Sequence, residues 1–155
     1  MSYVISGLPL ADFQPLFGLS EAELAARNIL RMTVTAKPGF PCRITLDDAE
    51  PGETVLLLNH EHQRAATPYR AAHAIFVREA AAETREVRDS VPDSLATRLL
   101  SVRAFDAAGM MTDADVVEGA DLEPLIARMF EDKAVAYLQA HNARRGCYAA
   151  RIERG

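Results

Sequence analysis

The chain has 155 residues, with 17 Lys plus Arg against 22 Asp plus Glu, a formal net charge of -5 and a hydrophobic share of 49%. That length suits one domain, and it is enough to bury a core without disulfide or metal staples. The composition excludes a disordered chain and a membrane protein, and the acidic balance argues against a general nucleic-acid binder, which needs a basic footprint. Two cysteines, Cys42 and Cys147, are too few for a disulfide scaffold and point to a reducing compartment, with their pairing left open. Met1 to Ser6 has neither the basic region nor the apolar core of a signal peptide. The longest apolar run, Val55 to Leu58, falls far short of the ~20 residues of a membrane span. By elimination the expected setting is the cytoplasm, with no nucleic acid and no membrane as partner.

In chain order, Tyr3 to Ser6 reads as a first strand. Ser20-Glu21-Ala22-Glu23 is a capping box that opens a helix through Leu24, Ala25 and Arg27. Ile29 to Thr35 is rich in β-branched residues and reads as a strand. Lys37 to Pro41 must leave regular structure, because two prolines remove donors and Gly39 invites a turn. Cys42 to Leu46 reads as a short strand. Glu50 to Glu53 is a turn, and Thr54 to His62 is the clearest strand. Ala74 to Glu79 is the next. The charge-dense stretch Arg78 to Asp89 reads as a solvated helix or a loop. Ser90 is placed to cap a helix with Pro92 in its first turn. Leu99 to Asp106 and Met111 to Glu118 form a strand pair around Ala107-Ala108-Gly109. Asp121 caps a helix carrying the apolar stripe Leu125, Ile126, Met129, Phe130. Ala134 to His141 and Cys147 to Glu153 form a last strand pair around the Asn142 to Gly146 turn. Hairpins mixed with helices, rather than alternating βαβ units, predict a single α+β domain over residues 1–155, with a mostly antiparallel sheet and about three helices.

The runs Pro38-Gly39-Phe40-Pro41-Cys42-Arg43, Asp48-Ala49-Glu50-Pro51-Gly52-Glu53, Thr67-Pro68-Tyr69-Arg70, Ile75-Phe76-Val77-Arg78-Glu79 and His141-Asn142-Ala143 with Gly146-Cys147 together resemble a bacterial family, the domain-of-unknown-function family numbered 1203. The resemblance covers essentially the whole chain. It implies a single-domain cytoplasmic bacterial protein and assigns no reaction. It also implies a second cysteine three residues after Cys147. Ala150 stands there, so this chain has no such pair for metal or redox chemistry.

Several residues bear chemistry. Arg43, Tyr69, Arg70 and Arg103, with His141 and Asn142, are the side chains a pocket for a carboxylate or phosphate would use. Cys42, beside Arg43 after a rigid Pro-Gly-Phe-Pro turn, is a candidate nucleophile or redox sensor if His141 or His73 serves as its base. His141 is the other catalytic candidate, as an acid/base with an ordinary pKa near working pH. It shares a strand face with Tyr137 and Gln139, a polar stripe that reads as a surface face or a cleft. His60 and His62 fall on one strand face in ligand-compatible spacing for zinc or another borderline metal, with Glu61 on the opposite face. No phosphate-cradling glycine loop and no nucleophile elbow is present, so P-loop, dinucleotide-dependent and α/β-hydrolase chemistry lack support. Three readings follow. The first is a small-molecule site for an anionic ligand, with catalysis unassigned. The second is a non-catalytic interaction module or homodimer. The third is a metal site at His60 and His62. No cofactor is specified by any of them.

Overall fold

The computed structural model describes residues 1–155. Nine strands form two antiparallel sheets: β1 (Tyr3–Ser6), β2 (Leu30–Thr33), β3 (Thr54–Gln63), β4 (Ala71–Arg78), β5 (Glu86–Arg88), β6 (Leu99–Asp106), β7 (Met111–Glu118), β8 (Val135–Asn142) and β9 (Tyr148–Arg154). The larger sheet runs β5-β1-β9-β8-β6-β7 and the smaller runs β2-β3-β4. Three short α-helices accompany them, α1 (Glu21–Ala25), α2 (Asp93–Ala96) and α3 (Leu122–Met129). The fold is α+β with a mostly antiparallel sheet. No helix is long and apolar enough to cross a membrane.

The layers follow from strand alternation. Leu100, Val102 and Ala104 on β6 and Leu138 and Ala140 on β8 turn one way and meet the apolar stripe of α3, Leu122, Leu125, Ile126 and Met129. The intervening residues turn the other way, toward the small sheet; Ser101, Arg103, Tyr137, Gln139 and His141 among them are polar, and Phe105 stacks on Tyr137. Gln139 and His141 are buried there, and Gln139 meets His62 while Tyr137 meets Gln63. The stripe expected at a surface or cleft is therefore an internal seam between the sheets. Beside it lies a second apolar cluster, which includes Leu56, Leu58, Ile75, Ile44 and Tyr148.

Several local expectations are corrected. Cys42 to Leu46 is not a strand; it is a tight loop, with the Leu46 amide donating to the Cys42 carbonyl (3.1 Å) and Leu46 in the left-handed region at φ 56°. A branched apolar residue stays there because its side chain is locked into the main core. Of the two readings of the Arg78 to Asp89 stretch the loop is the one found, and it ends in β5, which pairs with β1. Ser90 donates to the Arg88 carbonyl rather than capping α2, and Pro92 takes the N-cap position. Asp121 occupies the N-cap of α3 without a side-chain hydrogen bond. The capping box at Ser20 and Glu23 is present.

One backbone approach positions the site below. Gly119 lies against α2 so closely that a Cβ would stand 1.8 Å from the Leu95 carbonyl oxygen. Its amide donates to the Arg98 carbonyl (2.7 Å), which fixes the α2–β6 joint and with it the Arg98 side chain.

Candidate functional site

Two cavities flank the β8–β9 hairpin. The first, about 410 Å³, is walled by Arg43, Arg98, Asn142, Arg144, Arg145 and Cys147, with Thr97 and Glu118 at its edge. The second, about 320 Å³, is walled by His60, His62, Gln139, Tyr148, Arg64 and Arg151, with acidic Asp12 and Glu61 beside them.

Arg43 is the unusual residue of the first. It is 2% exposed, and no carboxylate pairs with it. Its Nε donates to the Tyr148 carbonyl (2.6 Å), Nη1 to the Pro41 carbonyl (2.7 Å) and Nη2 to Cys147 Sγ (3.0 Å). Burial pushes the guanidinium pKa down from its ordinary value, and nearby Arg98 adds to that shift. Asn142 donates from Nδ2 to the same sulfur (3.6 Å), while its Oδ1 is the one buried side-chain oxygen or nitrogen without a partner. Arg98 is neutralised by Asp48 through two hydrogen bonds (2.6 and 3.1 Å). Arg144 and Arg145 stand exposed on the hairpin turn, free of any ion pair. Four arginines thus face the carboxylates of Glu118 and Asp48, and the cavity carries excess positive charge.

The second cavity is electrically balanced. Arg151 pairs with Glu153 and lies over the Tyr137 ring, and Glu61 pairs with Arg70. His60 and His62 do share a face, and His62 stacks on Tyr148 with centroids 5.8 Å apart. No three His, Cys, Asp or Glu side chains are arranged to hold a metal ion. Burial lowers the His60 pKa to about 4. His62 Nδ1 donates to Gln139 Oε1 (3.0 Å), and Gln139 Nε2 returns a hydrogen bond to the His62 carbonyl (2.8 Å). Burial also lowers the His62 pKa.

The residues expected to form one pocket are divided. Arg43 and Asn142 meet in the first cavity. Tyr69 and Arg70 do not join them: Tyr69 is exposed on a Thr67 turn, and Arg70 is held by both carboxylate oxygens of Glu61 (3.1 and 3.2 Å). Arg103 is half-buried in the seam opposite Gln139. His141 is fully buried and lines neither cavity; it faces the Gly146 carbonyl and Gln139 Oε1 (3.2 and 3.1 Å). Burial takes its pKa down to about 3, which leaves it neutral at working pH. Cys42 is packed in the second core cluster and accepts from the Arg78 amide (3.4 Å), while the guanidinium of its neighbour Arg43 reaches Cys147 instead. Sequence reasoning places Arg144 and Arg145 only in a turn and considers Cys147 for pairing with Cys42 or for metal ligation, not as the wall of an arginine-lined cavity. The signal available was two adjacent arginines inside a hairpin turn ending in Gly-Cys.

Residues 39–154 match the family model described as "Protein of unknown function (DUF1203)". No curated protein and no solved structure is similar enough to this chain to count as a match.

Proposed function

Because the chain belongs to the DUF1203 family, whose description assigns no activity, its function must be read from the site, and we propose that it binds a small anionic ligand in the Arg43–Cys147 cavity. One observation carries this: a buried arginine without a carboxylate lines a cavity of about 410 Å³ together with two exposed, ion-pair-free arginines. Buried charge is costly unless it is paired, so a cavity wall with surplus guanidinium is completed by an anion. Guanidinium forks suit carboxylate and phosphate alike, and the volume lies within the range of small-molecule sites. Arg144 and Arg145 would recruit the ligand, and Arg43 and Asn142 would form the floor.

Thermal unfolding in phosphate, sulfate and citrate, against chloride at matched ionic strength, tests this. A ligand at a hundredfold excess over its Kd stabilises by about 2.7 kcal/mol. For a chain of this size that is roughly 5–10 °C in Tm. The expected result is a saturable rise with at least one anion, absent in the Arg144→Ser/Arg145→Ser variant, whose own Tm is unchanged because both side chains are exposed. Equal rises in both proteins, or none, overturn the reading.

A further inference from the structure

We propose that Cys147 is a thiolation site, whose sulfur exchanges with a small carboxylate-bearing disulfide held in the same cavity. The choice of an anionic partner rests on the binding reading above; the reactivity of the sulfur rests on its own surroundings.

Two side chains touch Cys147 Sγ, and both donate to it: Arg43 Nη2 at 3.0 Å and Asn142 Nδ2 at 3.6 Å. None accepts a proton from it. A site made only of donors points N–H groups at the lone pairs of the sulfur and offers no acceptor to an S–H, an arrangement suited to a sulfur that acts as a nucleophile. The residue is 8% exposed but forms part of the cavity wall. Asn142 lines the same cavity, and its buried Oδ1 has no partner. An unsatisfied buried group is a cost that stability alone does not explain.

The missing partner sets the reaction class. No histidine reaches the sulfur, since both ring nitrogens of His141 face other acceptors. With no acid to protonate a leaving group, the step must expel a group that departs as an anion. Thiol–disulfide exchange meets this condition. The Cys147 thiolate attacks one sulfur of the disulfide, a new S–S bond forms, the old one breaks, and the second sulfur leaves as a thiolate. No net oxidant is needed beyond the disulfide itself. Cys42 cannot resolve the adduct, because it sits in the packed cluster outside the cavity wall. The mixed disulfide therefore persists until an external thiol removes it, and while present it fills the anion cavity.

The test incubates the folded, reduced protein with oxidised glutathione (anionic), cystamine (cationic) and hydroxyethyl disulfide (neutral), followed by intact mass and peptide mapping. We expect one glutathione per chain, on Cys147, formed on the order of tenfold faster than the cystamine adduct because the field of the cavity concentrates anions. The adduct is lost in Cys147→Ser and kept in Cys42→Ser. The Arg144→Ser/Arg145→Ser variant still reacts with the neutral reagent and loses most of its charge preference. Labelling at Cys42, or no adduct on folded protein, overturns the proposal. If anions still raise Tm while Cys147 is inert, this inference falls and the binding reading stands. If all three reagents react equally and no anion raises Tm, both fall.

Discussion

Arg43 shows how far a residue's role can lie from its neighbours in sequence. Its position after the Pro-Gly-Phe-Pro turn marked it as a site residue, and its chain neighbour Cys42 was the natural partner. The structure sends the guanidinium to Cys147, 104 positions away, because the loop turns back through Leu46 and carries Arg43 under the β8–β9 hairpin. Contacts at that separation leave no trace in local spacing. Truncation should be expensive. Arg43→Met strands the carbonyls of Pro41 and Tyr148 as well as the sulfur, and should cost about 3 kcal/mol in urea unfolding. A cost below about 0.5 kcal/mol would mean that water replaces the guanidinium without loss. Gly119→Ala should be comparably severe, since the added carbon meets backbone and not a movable side chain. Overpacking of this kind costs about 1–3 kcal/mol, and Arg98 with its Asp48 pair would shift at the cavity edge.

At the level of elements, hairpins were the readable part. Leu99 to Asp106 and Met111 to Glu118 carry turn residues at the hinge, and their bounds match β6 and β7. Ser20 and Glu23 announced α1 through the reciprocal capping bonds they make. That helix has only five residues, so its cap is a large share of what holds it. Ser20→Ala should therefore lower stability by about 1 kcal/mol, seen as a lower urea midpoint with an unchanged slope. The unreadable elements were those whose conformation is imposed from outside. Cys42 to Leu46 has strand-like composition but is wrapped around the hairpin, and β5 is a strand only because β1 offers it an edge. The polar face of β8 was ambiguous for the same reason. Gln139 and His141 look like surface residues until the small sheet closes over them.

For the whole molecule, that closure sets the response to acid. The sheets meet through Gln63–Tyr137 and the His62–Gln139–His141 chain. His60, His62 and His141 all have pKa values below the unfolded value of 6.5, chiefly through burial, with His60 at about 4 and His141 at about 3. The unfolded chain then binds more protons than the folded one wherever pH lies between those values. Stability is full above 6.5 and is lost as pH falls toward the folded values. For His141 the slope is up to about 1.4 kcal/mol per pH unit. Carboxylates such as Glu79, held at about 2 mainly by Arg31, lose their contribution only below their ordinary 4.5. Urea titrations from about pH 7 to about pH 5 thus isolate the seam. We expect a falling midpoint over that interval, shallower in His141→Gln, whereas a flat profile in the native sequence would contradict neutral buried imidazoles.

Cys147 and Tyr148 are consecutive, yet one walls the arginine cavity and the other walls the histidine cavity. The two chambers share the Cys147–Tyr148 peptide unit as a party wall; its carbonyl accepts from the Asn142 amide (2.9 Å), and the next carbonyl, that of Tyr148, is tied to Arg43. A displacement of that unit changes the shape of both rooms at once. Thermodynamic reciprocity then requires that whatever an occupant of one does to affinity in the other is returned by the same factor.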